Sequence, residues 1–309
     1  MSGTLSAPHE YPAEVYTGSL KSDDYTQHFK NWGIINSGWG DANGTVVAGP
    51  QKKALPDSLS LTWLSFVENK FYAGKFALPK DRMQKLFKEG YVNDLGKQKT
   101  YTEIVVGLAP EGTVSVWLMA AGKEVEVSQF KAHTTTIDSE TISNDDKYMF
   151  KGDYVKDILA NTKVIAPEVR EKIGQDGYPA AINYAQVYTK KYSWKPDFEL
   201  PEGSTVKNFG YATYNGEMDK LFGESLAKNE LKERAIPKRA YFYWFNAGKE
   251  QHGVKVEAFN DKEIIDAFAA LGSGEIHLVF KVSADNTVVL KLKSEAKEIE
   301  IKKAVVKVF

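Results

Sequence analysis

The chain contains one pattern twice, and the first copy, Leu55–Trp63, reads LPDSLSLTW. The second copy, Ile236–Trp244, reads IPKRAYFYW. Each copy leads into a helical pattern. A proline, a tryptophan and a phenylalanine recur at a constant spacing of 181 residues, in the pairs Pro56/Pro237, Trp63/Trp244 and Phe87/Phe268. Self-similarity at a fixed offset, with no gap, indicates an internal repeat. The sequence therefore predicts two copies of one structural unit.

Both copies begin with a strand pattern. Leu59, Leu61 and Trp63 alternate with Ser and Thr, which predicts a strand with one buried face. In the second copy the same inward positions are taken by Ala240, Phe242 and Trp244.

A helix pattern follows each strand pair. The first begins near Pro79 and places Met83, Leu86 and Phe87 on one apolar stripe. The second begins with Asn260 and Glu263, a pair that resembles a capping box. Three further strands are predicted in each copy, at 103–108, 113–120 and 123–130 and at 275–281, 287–292 and 297–301.

These patterns predict an α+β fold of two similar repeats, each a mainly antiparallel sheet with one covering helix. The predicted domains are residues 8–135 and 178–309, and a partly helical connector, residues 136–177, joins them. Short helices are expected in the connector at 153–160 and 167–175.

The start of each copy is less regular. Residues 1–10 are interpreted as a flexible lead-in, 11–16 as a first strand and 18–29 as a loop. Tyr178-Pro179-Ala180 is similar to Tyr11-Pro12-Ala13, and Lys207–Gly210 is similar to Lys30–Gly33. We therefore place the start of the second copy at Tyr178.

Composition excludes several classes of function. The 309-residue chain has a formal net charge of −1, which provides no basic field for nucleic acid. It contains no cysteine, so thiol nucleophiles, disulfides and thiolate metal sites are excluded. No apolar run is long enough to cross a bilayer.

We find no catalytic motif. The five histidines are not spaced three or four residues apart, and His277 is interpreted as a packed or edge residue of a strand. Nucleophile-elbow and phosphate-loop patterns are absent from the sequence. The short Gly38-Trp39-Gly40 segment is interpreted as a bulge with a packed aromatic in preference to a ligand site. We therefore expect no catalytic residue, no metal and no cofactor.

Aromatic residues in the second half of the chain say more about function than the histidines or glycines do. A cluster amid Lys, Asn and Gln is interpreted as exposed, which favours a protein–protein interface. In the alternative interpretation, at least half of the cluster covers the connector. Its members are Tyr184, Tyr188, Tyr192, Trp194, Tyr211 and Tyr214.

Several of the quoted motifs resemble a family of bacterial predicted lipoproteins of unassigned function. The resemblance rests on Tyr-Pro-Ala-Glu-Val at residues 11–15, Leu-Pro-Asp-Ser-Leu at 55–59 and Val-Gly-Leu-Ala-Pro at 106–110. It covers residues 8–135 well and 178–309 more loosely. The resemblance implies an exported protein in the periplasm. A lipidated segment outside this sequence, which stays on the protein after a signal is removed, would provide membrane anchoring.

Some members of that family resemble immunity proteins of type VI secretion lipase effectors. The resemblance thus implies a non-catalytic protein that binds and inhibits a secreted antibacterial phospholipase or lipase. Its partner would be the cognate toxin, with no role for nucleic acid.

The partner is expected to contact the segments that differ most between the copies, residues 41–53 and 211–231. The expected partner-binding residues are Trp39, Asp41, Tyr211, Tyr214, Glu217 and Asp219. Two other functions remain open: a periplasmic binding module for a small molecule, sugar or lipid, with an aromatic pocket between the repeats, and an enzyme of an unrecognised type.

Overall fold

A computed structural model of the chain describes residues 2–44 and 53–309. The fold is mixed α/β and is dominated by strands, in agreement with the predicted class. It separates into two compact units, Met1–Ala185 and Gln186–Phe309. The stretch 136–177, expected to be a separate connector, lies within the first unit, and we keep the name connector for it.

The first unit contains twelve strands among its described residues. They are β1 (Ser2–Ser6), β2 (Ala13–Lys21), β3 (Thr26–His28), β4 (Ile34–Ile35), β5 (Ser58–Ser65), β6 (Lys70–Ala77), β7 (Tyr91–Val92), β8 (Gln98–Lys99), β9 (Glu103–Ala109), β10 (Thr113–Ala120), β11 (Lys123–Lys131) and β12 (His133–Thr135). Its helices are α1 (Lys80–Glu89), α2 (Tyr154–Ala160) and α3 (Pro167–Asp176), with 3-10 turns at Pro110–Gly112, Ser139–Thr141 and Asn144–Phe150.

Two layers of strands form the core of the first unit. One layer has the order β12-β6-β5-β2-β3, and the other has the order β1-β9-β10-β11. The inward positions predicted for β5 are confirmed, because Leu59, Leu61 and Trp63 are buried in one cluster with Ile104 and Val106 of β9. Period-two alternation thus places the apolar side of β5 against the second layer.

The N-terminal segment was wrongly interpreted as a flexible lead-in. Residues Ser2–Ser6 form β1, which is buried and pairs in parallel with β9. Leu5, its one large apolar residue, is fully buried, and the short side chains of its neighbours explain why the apolar signal in the sequence was weak. The loop predicted at 18–29 is also wrong, since β2 continues to Lys21 and β3 follows. Residues 45–52 of the segment 41–53, which is expected to contact a partner, lie outside the described residues.

Helix α1 has the predicted stripe. Met83 is fully buried, while Leu86 and Phe87 pack against the same core. The helix ends at Gly90, whose N–H donates to the Leu86 carbonyl. On its outer side Arg82 donates to the carbonyls of Glu126 and Val127 on β11, which fixes the helix on the sheet.

The second unit contains ten strands: β13 (Lys191–Glu199), β14 (Thr205–Thr213), β15 (Met218–Phe222), β16 (Lys232–Ala235), β17 (Pro237–Phe245), β18 (Gln251–Ala258), β19 (Ile276–Val282), β20 (Val288–Lys293), β21 (Glu298–Ile301) and β22 (Val305–Val308). Its helices are α4 (Gly223–Lys228) and α5 (Asp261–Leu271), and a π-helical turn spans Asn183–Val187.

Two layers also form the second unit, in the orders β15-β14-β17-β18-β22 and β16-β13-β19-β20-β21. The ring of Phe198 on β13 lies 4.9 Å from that of Phe242 on β17 and 5.7 Å from that of Phe280 on β19. The predicted inward residues Ala240, Phe242 and Trp244 are buried in this core. The pairing of β13 with β19 is parallel, as is that of β1 with β9.

Helix α5 starts as predicted, because the Asn260 side chain accepts a hydrogen bond of 3.0 Å from the Glu263 N–H. In a complete capping box the Glu263 carboxylate would accept from the Asn260 N–H, but here it has other partners. The Glu263 carboxylate accepts from the N–H groups of Lys302 and Lys303, which ties the helix to the segment before β22.

Candidate functional site

Trp39 is a packed core residue. It follows β4, is 7% exposed, and stands edge-on to Trp117 with ring centroids 4.8 Å apart. Gly107 makes this pair possible, because a Cβ at that position would come within 2.4 Å of Trp117 and 2.7 Å of Trp39. The packed aromatic expected at Gly38-Trp39-Gly40 is confirmed, but the segment is a turn after β4 and not a bulge, since the Asp41 N–H donates to the Gly38 carbonyl at 3.2 Å. Asp41, two residues on, is half-buried.

The aromatic residues expected at the surface of the second half are buried, so the expectation of exposure is wrong. Tyr211 stacks on Phe209, and Tyr214 stacks on Tyr188 with ring centroids 5.1 Å apart. Their hydroxyls are satisfied inside the unit, since Tyr211 accepts from Arg234 Nε at 2.9 Å and Tyr214 donates to Asp261 at 2.8 Å. Burial raises the pKa of both tyrosines above its ordinary value. Tyr184, Tyr188, Tyr192 and Trp194 are buried as well.

Arg234 is a buried cation within this aromatic cluster. Its guanidinium lies 5.2 Å from the Trp194 ring centroid and 5.8 Å from that of Tyr211. It also donates to the carbonyls of Trp194 and Glu230. Weak hydration makes guanidinium the cation best suited to such a site. The cluster therefore holds strand β16 on β13.

Glu217 and Asp219 lie at the start of β15 and are half-buried. Glu217 forms an ion pair with Lys191 of 3.2 Å. Asp219 stands directly opposite Tyr211 across the β14–β15 ladder. Of the six residues expected to bind a partner, Tyr211, Tyr214, Glu217 and Asp219 come together within the second unit. Their partner-binding role stays a prediction.

A different set of aromatic residues does reach solvent. Tyr241, Tyr243 and Phe245 alternate with the buried residues of β17 and point away from the core. Phe309 follows β22, is 60% exposed, and packs edge-on to Tyr243 at 5.7 Å. Its ring covers Gly253 of β18, where a Cβ would lie 2.5 Å from the ring. We call this surface, with Lys255 and Lys307, the outer aromatic face.

The charge of the outer aromatic face is positive. Lys255 lies opposite Tyr241, and Lys307 lies opposite Lys255, so the two cations are neighbours. They share one carboxylate, Glu257, at 3.2 and 2.9 Å. The hydrogen bond from Lys307 and then that from Lys255 lower the pKa of Glu257. Lys207 lies 5.5 Å from the ring centroid of Phe245 and adds a third cation. The aromatic alternation of IPKRAYFYW contained this face, but the sequence interpretation used only its inward half.

The second candidate site is an open cleft of about 850 Å³ on the other layer of the second unit. It is lined by charged side chains from β13, β19 and the β20–β21 turn, among them Asp197, His277, Lys293 and Glu295. His277 Nδ1 is hydrogen-bonded to the Asp197 carboxylate. The sequence interpretation missed this pair because its members are 80 residues apart and meet only through the parallel β13–β19 ladder.

The cleft differs from the pocket expected from the sequence. It lies within one unit, and Phe198 is its one aromatic lining residue. The carboxylate of Asp197 orients the imidazole, so Nε2 is the ring nitrogen that a ligand would meet. Residues 2–44 and 53–309 include no group of three or more His, Asp or Glu arranged to hold a metal ion. Within the same ranges, no helix combines the length and apolarity required to span a membrane.

The chain belongs to the family described as "Protein of unknown function (DUF2931)", whose model matches residues 2–180. The matched range corresponds closely to the first unit and includes both β1 and the connector helices. No curated protein and no solved structure gives a significant match to the chain.

Proposed function

We propose that this chain is a non-catalytic immunity protein that binds and inhibits a secreted antibacterial phospholipase or lipase of the type VI class. The observation that carries the proposal is the outer aromatic face. Aromatic side chains that reach solvent on one surface are of the residue types enriched at protein interfaces. The resemblance of the sequence to predicted lipoproteins, some of which resemble immunity proteins of such lipases, supports this class of partner and a periplasmic location.

We also infer that the two units are copies of one repeat. In both units a strand is paired with the inward tryptophan and has a β-bulge directly after that pair. In the first unit Val15 of β2 lies opposite Trp63, and in the second Val206 of β14 lies opposite Trp244. A helix follows the hairpin in each unit, as α1 follows β6 and α5 follows β18. Bulges are specific features of a strand pair, so the coincidence supports a common origin. The start of the second copy then lies near β13 and β14, later than Tyr178.

The immunity proposal is tested by enzyme inhibition. The secreted lipase recovered with this chain from the source bacterium would be assayed on a fluorogenic phospholipid while the chain is titrated. We expect activity to fall linearly to zero at one equivalent of chain. Full lipase activity at a large excess of chain would refute the proposal.

A second candidate function, the binding of a small molecule, is favoured by the cleft at His277. Its volume of about 850 Å³ lies within the range of small-molecule sites. Cations and carboxylates line it together, which suits a polar zwitterionic or sugar-like ligand better than a lipid chain. Calorimetric titration with amino acids, sugars and phosphocholine tests it. Heat of binding that disappears in His277→Gln is the expected result, and no heat with any of these probes would exclude them as ligands.

A further inference from the structure

The first unit shows how the counterpart of the outer aromatic face is covered. Connector residues Phe150, Tyr154 and Ile158 pack on Leu64 and Phe71, which belong to the outward side of β5 and β6. Phe150 stacks on Phe71 with ring centroids 5.3 Å apart and an interplanar angle of 12°. A short helical segment with apolar residues on one side therefore occupies this face.

Polar contacts fix the same segment. Tyr148 donates a 2.7 Å hydrogen bond to one oxygen of the buried Glu14 carboxylate, and Tyr154 donates to the other. Beside this contact, Lys30, in the turn between β3 and β4, forms a 3.0 Å ion pair with Asp146 of the segment. The docking thus combines a stacked phenylalanine with a lysine–aspartate pair.

The covering segment is acidic. Between residues 138 and 157 it contains six carboxylates and three lysines. The carboxylates are Asp138, Glu140, Asp145, Asp146, Asp153 and Asp157. An acidic amphipathic segment is therefore what the first unit places on this side of its sheet.

In the second unit the corresponding strand positions, Tyr243 and Phe245, are half-buried and still reach solvent. The spacing of 181 residues places Phe245 at the position of Leu64 and Tyr243 at that of Thr62. Val305 is 53% exposed and Phe309 is 60% exposed, so no described residue covers them as the connector covers Phe71. Lys255 and Lys307 supply the positive charge that Lys30 supplies in the first unit.

We propose that the outer aromatic face binds an acidic amphipathic helical segment of a partner protein, in the way that the first sheet binds the connector. The inference rests on the proposed function and names the surface and the partner's chemistry. An aromatic or large aliphatic side chain of the segment packs against the pair of rings formed by Tyr243 and Phe309. Carboxylates of the segment pair with Lys255 and Lys307, which share a single carboxylate in the free chain.

Surface display of short segments tests the inference with the full chain as the soluble ligand. The segments carry apolar residues at helical spacing and range from strongly acidic to strongly basic. We expect the acidic amphipathic segments to bind. Charge reversal in K255E/K307E should reduce their affinity at least about tenfold, since like charges then face each other. The matched double reversal K228E/K262E, at exposed lysines of α4 and α5, should change it less than about twofold.

Two measurements keep the inference falsifiable if a variant folds poorly. Binding of acidic segments by the unaltered chain should weaken steadily with salt, because exposed charge pairs are screened. The variant Y243S/F309S, which keeps every lysine, should also lose binding. Preference for neutral or basic segments, or equal binding by K255E/K307E, would overturn the proposal. So would oligodeoxythymidine that binds more tightly than any acidic segment.

Lipase inhibition separates this inference from the proposed function. If the chain inhibits the lipase and Y243S/F309S and K255E/K307E inhibit equally well, the face is not the docking site although the immunity function stands. If acidic segments bind the face while no lipase is inhibited, the docking inference stands and the proposed function fails.

Discussion

At the scale of single residues, the packing of Trp39 and Trp117 over Gly107 provides a test of the core of the first unit. Gly107→Ala would place a Cβ 2.4 Å from Trp117 and 2.7 Å from Trp39, so rings must shift. Overpacking of this kind costs about 1–3 kcal/mol of unfolding free energy. Urea denaturation measures it. Gly174→Ala in α3 is the control, because its Cβ meets no described atom within 4 Å and alanine favours a helix. Equal midpoints for the two variants would contradict the packing.

Tyr11 provides a residue-scale prediction on pH. Burial, followed by the charge of Glu68, raises the pKa of Tyr11 to about 12 from 10.0. Since the folded chain holds the proton more tightly, this contribution to stability is complete below pH 10 and is lost as pH rises towards 12. Tyr11→Phe should therefore flatten the fall in unfolding free energy between pH 10 and 12. An unchanged alkaline slope would show that Tyr11 does not titrate in this way.

Residues also show where sequence reasoning succeeds. Leu59, Leu61 and Trp63 could be assigned to the core because alternation fixes which side of a strand is apolar. The same logic applies to Lys191-Tyr192-Ser193-Trp194, whose alternation predicts a strand with one buried side, yet Tyr192 and Trp194 were interpreted as surface residues. Pairs such as His277 and Asp197 could not be predicted, because a parallel ladder, unlike a hairpin, leaves no local pattern in the sequence.

At the scale of elements, the connector was predicted to contain short helices. In the structure its helix α2 and the preceding 3-10 turn pack on the outward side of β5 and β6. Phe150→Ala removes the ring stacked on Phe71 and should destabilise the docked segment more than the unit as a whole. We expect amide hydrogen exchange in α2 to accelerate at least about tenfold while β9 and β10 keep their protection. The exposed Lys151→Ala, next in sequence, is the matched control. Uniform acceleration in both regions would mean that the connector is not a separate cooperative element.

The missed element β1 shows the limit of pattern recognition. Ser-Gly-Thr-Leu-Ser carries one large apolar residue, so hydrophobic periodicity has almost nothing to detect. The strand exists because its backbone completes the ladder of β9 and because small side chains fit a buried edge. Tertiary pairing therefore decides its conformation. Tyr11-Pro12 and Tyr178-Pro179, which are similar in sequence, contact each other, and the Tyr11 hydroxyl donates to the Pro179 carbonyl at 2.6 Å.

At the scale of the whole molecule, the inferred repeat makes a symmetric prediction. Trp63 and Trp244 are both buried and each lies beside a bulge, so Trp63→Phe and Trp244→Phe should cost similar unfolding free energies of about 1–3 kcal/mol. Trp32→Phe should cost less, because Trp32 lies in the loop before β4 and is half-buried. Thermal and urea unfolding of the three variants measure these values. A cost for Trp244→Phe close to zero would argue that the two positions are not equivalent.

The two candidate functions occupy different layers of the second unit, and this separation allows them to be tested apart. The outer aromatic face belongs to β17, β18 and β22, whereas the cleft belongs to β13, β19 and β20. His277→Gln removes the imidazole that Asp197 orients but leaves the lysines and aromatic rings of the face unchanged. We therefore expect His277→Gln to inhibit the lipase with an affinity within about twofold of that of the unaltered chain. A change of about tenfold would instead indicate a lost interface contact. Loss of inhibition in His277→Gln, with folding intact, would place the toxin on the cleft and make the small-molecule site part of the protein interface.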